Sequence, residues 1–208
     1  MAFLKPLAAC MSVVSACAAL ACGSTATPHA DPAVRVLTGA VDGTDAQVAI
    51  VASAHRALVY FCGGSSSYPI LTHWFTLDLD SSGGANAKAA GAGDWSFDGQ
   101  LGTGDAAGGA FTIADGTKLT FHATRVGDGT IAGLYVGAAP CGKVGLIVTQ
   151  PSAQSPPKGQ GACIGSDLRP SVEQINPIEP LSRATDGTIR VLGAGTTDAV
   201  PVLPAAAP

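Results

Sequence analysis

The chain has 208 residues, and its 11 basic and 15 acidic side chains give a formal net charge of -4. This length suffices for one domain with a hydrophobic core plus appendages, while the balance of charges excludes a basic surface for nucleic acid or for an anionic membrane. The low charged fraction of 12%, the 27 Gly and the 14 Pro are typical of many short strands joined by tight turns.

The first predicted element is an export signal. Lys5 precedes an apolar run from Leu7 to Ala21. A run of about fifteen residues is short for a membrane span of about twenty, but it fits the hydrophobic region of a signal peptide. We therefore expect residues 1–21 to be a signal peptide.

The end of this run carries a more specific motif, ALAC, from Ala19 to Cys22. The motif resembles the lipobox of bacterial lipoproteins, in which the cysteine receives a diacylglyceryl group, the signal is cut before it, and the new amino terminus is usually acylated. The resemblance covers the leader alone. It implies lipidation of Cys22 and attachment to the extracytoplasmic face of a bacterial cell membrane. There are two alternatives to lipidation. The signal is cut nearby, which leaves Cys22 as a thiol or a disulfide partner, or the segment stays uncut as an anchor.

The next segment, residues 22–33, predicts a flexible tether. Its sequence from Gly23 to Ala33 is small, polar and Pro-containing, with no apolar periodicity. We expect His29, which lies in it, to be solvated.

From Val34 onward the pattern predicts an all-β fold, a single antiparallel barrel or sandwich of about 8–10 short strands in residues 34–150. Apolar and polar residues alternate in Leu71–Asp80 and in Lys118–Arg125, so each strand has one face to bury. The predicted strands are Val34–Val41, Gln47–Ser53, Ala57–Cys62, Thr72–Leu79, Asp94–Leu101, Gly109–Ala114, Lys118–Thr124, Ile131–Gly137 and Lys143–Thr149.

Asp-Gly-Thr occurs at Asp42, Asp115, Asp128 and Asp186 and predicts turns. Asp-Gly tolerates the positive φ of two-residue hairpin loops, so we expect hairpins at least at Asp115 and Asp128. A calcium loop is the alternative, but the spaced acidic ligands of such loops are missing from the sequence.

After the predicted barrel, residues 151–162 are Pro-rich and predict a connector. Residues 163–200 predict an extended arm with one C-terminal hairpin. Because an isolated hairpin is unstable in water, we expect the arm to dock on the main sheet. Residues 201–208 predict a disordered tail.

Three cysteines follow Cys22: Cys62, Cys141 and Cys163. In an oxidising compartment we favour a disulfide between Cys141 and Cys163, which would pin the arm to the barrel. A Cys62–Cys141 bridge or no bridge are the alternatives. The cysteine spacing is not that of a zinc or thioredoxin-type site, so we expect no metal and no cofactor.

Candidate catalytic side chains are sparse. His55 lies in a predicted turn, His73 lies on an apolar strand face and is expected to be a core histidine, and His122 shares a polar face with two threonines. Ser65–Ser67 follow a strand but lack the G-x-S-x-G elbow of serine hydrolases. A glycosidase would need two facing carboxylates in an aromatic cleft. The carboxylates available are Asp78, Asp80, Asp94 and Asp98.

The aromatic residues are scattered over several strands and either line a cavity or, as we favour, fill the core. They are Tyr60, Tyr68, Trp74, Trp95, Phe97 and Tyr135. The sequence therefore favours a membrane-tethered envelope lipoprotein with a non-enzymatic interaction or structural role, whose partner is an envelope protein. The alternative is a carrier or sensor of a small apolar ligand held in the barrel interior, and an enzyme ranks last.

Overall fold

The computed structural model describes residues 34–88, 95–165, 172–177, 179–192 and 199–208. The predicted signal peptide and tether, with Cys22 and His29, lie outside the described residues. The described residues form 14 strands, which confirms the all-β antiparallel prediction. None of the described residues belongs to a helix long and apolar enough to cross a membrane.

The first eight strands form one antiparallel sheet, in which chain neighbours pair and β8 returns to β1. Its two edges are β4 and β5, so we call this sheet the open barrel. All eight strands contribute to one buried core, because every second residue of each strand faces inward. The strands are β1 (Arg35–Val41), β2 (Gln47–Ala52), β3 (Arg56–Cys62), β4 (His73–Asp78), β5 (Gly84–Lys88), β6 (Ser96–Gln100), β7 (Ala106–Thr112) and β8 (Lys118–Arg125).

The remaining six strands form the closed barrel, in which β14 pairs with β9 and completes the ring. Its core is aliphatic apart from Tyr135 and Cys163. The disulfide between Cys141 and Cys163 ties the β9–β10 turn to β11, with a Cα–Cα distance of 6.0 Å. The strands are β9 (Gly133–Ala139), β10 (Gly142–Thr149), β11 (Lys158–Ile164), β12 (Val172–Pro177), β13 (Ile189–Leu192) and β14 (Ala199–Pro204).

This division of strands differs from the single barrel in residues 34–150 that we expected. The predicted strands at 131–137 and 143–149 belong to the closed barrel, together with residues 158–162 of the predicted connector and 199–204 of the predicted arm and tail. The physical reason lies in β10, whose Val144–Val148 are all buried. One face of β10 packs in the closed barrel and the other packs against the open barrel, so its sequence does not indicate to which sheet it belongs.

The Asp-Gly-Thr turns adopt the backbone that their sequence predicts. Gly43, Gly116, Gly129 and Gly187 have φ between 71° and 86°. The turn at Asp115 joins the paired strands β7 and β8, as expected. The prediction of a hairpin at Asp128 is wrong, because that turn connects β8 of one barrel to β9 of the other. A tripeptide specifies the local bend but not the sheet to which the following strand belongs.

The two barrels pack through the outer faces of β2 and β3 against those of β9, β10 and β11. Tyr60 and Trp74 stack with ring centroids 4.0 Å apart and lie directly against the backbone of Gly145. Gln160 adds a polar contact, because its Nε2 donates to the backbone carbonyl of Cys62 at 2.5 Å. The contact is therefore a third apolar core, which fixes the geometry of the surfaces beside it.

Candidate functional site

A cleft of about 500 Å³ opens where the closed barrel stops covering the open barrel. On its floor, Thr38 of β1 pairs with Thr124 of β8, and Ala40 pairs with His122 and with Gln47 of β2. All five side chains point outward, since their strand neighbours Leu37 and Ala123 face the core. The opposite wall comes from the end of β10 and the segment between the barrels. We call this site the junction cleft, and its wall includes Val126, Gly127, Ala132, Thr149, Gln150 and Pro151.

Gln47 is the most unusual residue of the junction cleft. It lies at the border between the covered and uncovered parts of the sheet, opposite Cys62 of β3. Its side-chain Oε1 is buried and has no hydrogen-bond partner among the described residues. A buried polar atom without a partner costs about 1–3 kcal/mol. Because this oxygen has almost no accessible surface, it lies beneath the surface of the cleft and is not open to it.

His122 lies at the rim of the junction cleft and is held by Asp42. The His122 Nδ1 lies 2.9 Å from Asp42 Oδ1, and the Thr120 hydroxyl donates to Asp42 Oδ2 at 2.6 Å. The hydrogen bonds from Thr120 and His122 lower the pKa of Asp42, so the carboxylate is ionised at pH 7 and accepts from His122 Nδ1.

The Asp42–His122 pair resembles part of a catalytic triad in its chemistry but lacks a nucleophile. The hydroxyl next to it, that of Thr120, donates to the carboxylate and not to the imidazole. Both members of the pair are also exposed, with 67% of the His122 side chain accessible to solvent. The pair thus fastens the β1–β2 turn to β8 and orients the imidazole beside the junction cleft.

The serines that the sequence singled out have a structural role. The Ser66 hydroxyl donates to Asp45 Oδ2 at 2.5 Å, and the Ser67 hydroxyl donates to Asp45 Oδ1. These bonds, helped by the backbone N–H groups of Ser66 and Gly64, lower the pKa of Asp45 to about 2. No histidine accepts from these hydroxyls among the described residues, and the carboxylate caps the helical turn that begins at Gly64.

His73 is half-buried beside the aromatic core of the open barrel. Its ring stacks on Trp95 with centroids 4.5 Å apart and meets Phe75 edge to face. Burial lowers the pKa of His73 to about 4. It is therefore neutral at pH 7, and it forms one end of the aromatic packing in the open barrel.

Aromatic rings occupy the interior of the open barrel. Phe61 lies at the centre, with ring centroids of Phe111 and Phe121 at 4.0 and 5.4 Å and that of Phe75 at 6.1 Å. Of the six scattered aromatic residues, Trp95 and Phe97 belong to this core. The other four lie elsewhere: Tyr60 and Trp74 between the barrels, Tyr135 in the closed barrel, and Tyr68 in the loop before β4.

The three predicted carboxylates that the structure describes do not form a catalytic pair in an aromatic cleft. Asp78, Asp80 and Asp98 line a shallow groove of about 760 Å³ on the outer face of the open barrel, with Gly and Ala as its floor. The pKa of Asp80 is lowered by the hydroxyl and N–H of Ser82 and the N–H of Gly84, so it stabilises a turn. Asp94 lies outside the described residues, which hold no cluster of three or more side chains fit for a metal ion.

Two of the described cysteines form a disulfide, and the third is a buried thiol. The favoured pair, Cys141 and Cys163, is bonded, and Cys62 is buried and unbridged among the described cysteines. Burial raises the pKa of the Cys62 thiol to about 12, which makes it unreactive at neutral pH.

Comparisons with models of known protein families, with curated proteins and with solved structures find no match. The interpretation of the junction cleft therefore depends on its geometry alone. Sequence reasoning missed Thr38, Gln47 and Asp42 as members of a site, and noted His122 only as part of a polar face. The one local signal was the outward alternation of polar residues on β1 and β8, which is common on solvated strands.

Proposed function

We propose that this chain is an exported protein, tethered by a lipid on Cys22 to the extracytoplasmic face of a bacterial membrane, with a non-enzymatic interaction or structural role. Its partner in this proposal is another component of the cell envelope. The ALAC motif supports the tether, and the disulfide between Cys141 and Cys163 agrees with an oxidising compartment.

The observation that carries the non-enzymatic role is the filled open barrel. The rings of Phe61, Phe97, Phe111 and Phe121 pack against one another where an apolar ligand would have to lie. An eight-stranded barrel has an interior just wide enough for side chains to fill it or for one small ligand. The outer surface is then the part of the molecule that remains for recognition.

The polar clusters support the same role. Asp45 with its serines and Asp80 with Ser82 stabilise turns, and the Asp42–His122 pair has no hydroxyl or thiol bonded to the imidazole among the described residues. An activated nucleophile needs a base within hydrogen-bond reach. These groups therefore support a structural module better than a hydrolase.

The tether is tested by producing the wild-type chain and Cys22→Ser in a bacterium that processes lipoproteins. We expect the wild type in the membrane fraction, released by detergent but not by salt, and the variant in the soluble exported fraction. Equal membrane association of the variant would refute lipid attachment at Cys22. Cys62→Ser, which alters a buried thiol, is the matched control and should fractionate like the wild type.

The filled interior is tested by titration with 8-anilinonaphthalene-1-sulfonate, a fluorescent apolar probe. A packed core gives no saturable fluorescence increase in the native protein and a strong increase in partly unfolded states. Saturable binding to the native chain would contradict the proposed role and favour a carrier of apolar ligands.

A further inference from the structure

The Asp-Gly pairs of this chain differ in how the fold holds them, although four of them share the tripeptide Asp-Gly-Thr. An Asp-Gly pair rearranges without an enzyme when the amide nitrogen of the glycine attacks Cγ of the aspartate. Glycine favours this attack because it has no side chain to hinder the approach. We propose that Asp128 is the site at which the folded chain converts aspartate to isoaspartate.

The rearrangement needs water as its only co-reactant. A bond forms between the Gly129 nitrogen and Cγ of Asp128, and the amide proton leaves with the carboxyl OH as water, which closes a five-membered succinimide. Water then adds to the backbone carbonyl of the ring and breaks its bond to nitrogen. The chain afterwards runs through Cγ, and the former backbone carbonyl is a free carboxylate. The reaction therefore requires a free carboxyl group and a free glycine N–H.

Two of the turns block both reacting groups. In the turn at Asp115, the Gly116 N–H donates to the Ile113 carbonyl at 2.9 Å, and Asp115 Oδ1 accepts from the Thr117 N–H at 2.8 Å. The turn at Asp186 has the same two bonds, at 2.9 and 3.0 Å. Hydrogen bonds from the following threonine lower the pKa of both aspartates. An ionised carboxylate loses its oxygen less readily than a carboxylic acid, so both turns resist the reaction.

The turn at Asp42 blocks the carboxylate. Its threonine, Thr44, donates both its N–H and its hydroxyl to the Val41 carbonyl and not to the aspartate. The carboxylate of Asp42 is held from β8 instead, by the hydroxyl of Thr120 and Nδ1 of His122. These two bonds lower the pKa of Asp42 and keep its carboxylate away from the glycine nitrogen.

The turn at Asp128 blocks neither group. Thr130 donates its N–H and its hydroxyl to the Gly127 carbonyl, at 3.3 and 2.7 Å. Among the described residues, no hydrogen bond engages the Asp128 carboxylate or the Gly129 N–H. Both residues are exposed, and a Cβ added at Gly129 would have its nearest neighbour 3.8 Å away, in Ala153. The carboxyl group is therefore free to rotate onto the nitrogen.

The position of each pair in the fold favours the same site. The fifth Asp-Gly pair, Asp98 and Gly99, lies inside β6, and the ladders with β5 and β7 hold its backbone extended. A succinimide there would break these ladders. Asp128 lies in the connection between β8 and β9, so isoaspartate adds one backbone carbon between the two barrels without interrupting a strand.

The experiment compares the folded chain with the unfolded chain. The full chain is incubated at neutral pH in buffer or in guanidinium chloride, then digested and mapped by electron-transfer fragmentation, which distinguishes isoaspartate from aspartate. In denaturant we expect similar amounts at the four Asp-Gly-Thr sites, because their local sequence is the same. In buffer the amount at Asp128 should exceed that at each other pair about fivefold or more, because a hydrogen bond that must break lowers the reactive fraction about fivefold.

A variant tests the cause of this selectivity. Thr120→Val with His122→Val releases the Asp42 carboxylate, so isoaspartate at Asp42 should rise about fivefold in buffer. Thr124→Val, the matched control on the same face of β8, should leave it unchanged, and circular dichroism verifies that each variant is folded.

Four results would overturn the proposal. They are an equal distribution in buffer and denaturant, no isoaspartate at Asp128 in buffer while the unfolded chain forms it, more product at another Asp-Gly pair of the folded wild type, and an unchanged amount at Asp42 in the double variant.

Discussion

Replacement of Gly145 by alanine tests how the two barrels are held together. A Cβ at this position would lie 2.5 Å from Cζ of Tyr60 and 2.6 Å from Cζ2 of Trp74. Carbon atoms in contact are normally about 3.5–4.0 Å apart, so the rings or strand β10 must shift by about 1 Å. Tyr60 is fully buried and stacked on Trp74, which leaves the pair little room to move.

The expected cost follows from overpacking. Extra methyl groups in a packed core destabilise by about 1–3 kcal/mol, and Gly→Ala recovers about 0.4–1 kcal/mol by restricting the unfolded chain. We therefore expect Gly145→Ala to lower the free energy of unfolding by about 1–2 kcal/mol, which lowers the melting temperature by about 2–8 °C in a domain of this size.

The assay is equilibrium unfolding in urea with the disulfide intact. Gly104→Ala is the matched control, because no atom lies within 4 Å of its added Cβ. We expect the control to be as stable as the wild type or slightly more stable. The reasoning is refuted if Gly145→Ala unfolds at the same urea concentration as the control.

Three further predictions concern the disulfide and two titrating groups. Cys141→Ala with Cys163→Ala should lower the free energy of unfolding by about 3 kcal/mol, because the bridge closes a loop over a separation of 22 residues; an unchanged urea midpoint would contradict this. The pKa of His73 is about 4 in the folded chain against 6.5 in the unfolded chain, so the unfolded state takes up the proton first as the pH falls. The free energy of unfolding should therefore decrease as the pH drops from 6.5 towards 4. His73→Phe should lack this part of the pH dependence in urea titrations, and identical profiles would refute the burial of His73. Asp45→Ala should cost about 1 kcal/mol at pH 7, as the loss of a cap does. Because the folded pKa of Asp45 is about 2 against 3.8, the difference between this variant and the wild type should shrink as the pH falls from 3.8 towards 2.

Strands with strict alternation were predictable from the sequence. Leu71, Phe75, Leu77 and Leu79 are all buried, as the pattern indicates, and the nine predicted strands overlap β1–β4 and β6–β10. Strand β5, Gly84–Lys88, was missed because its sequence GANAK has no β-branched or aromatic residue. It is held by its ladder with β6, which a single sequence does not reveal.

The grouping of strands into barrels depends on long-range packing. Strand β11, Lys158–Ile164, pairs with β10 and β12 although the sequence before it is Pro-rich. The junction cleft could not be predicted from the sequence either, because Thr38, Gln47 and His122 become a site only when the end of β10 packs beside them. Local periodicity indicates which face of a strand is buried, but not what covers it.

The measurement that tests the proposed function most directly is the intact mass of the chain extracted from membranes of a lipoprotein-processing bacterium. The protein is alkylated in denaturant, once without reduction and once after reduction. We predict a chain beginning at Cys22 with added acyl mass and one label, on Cys62, which becomes three labels after reduction of the bridge. A chain without acyl mass, or one beginning elsewhere, would contradict the membrane-tethered role.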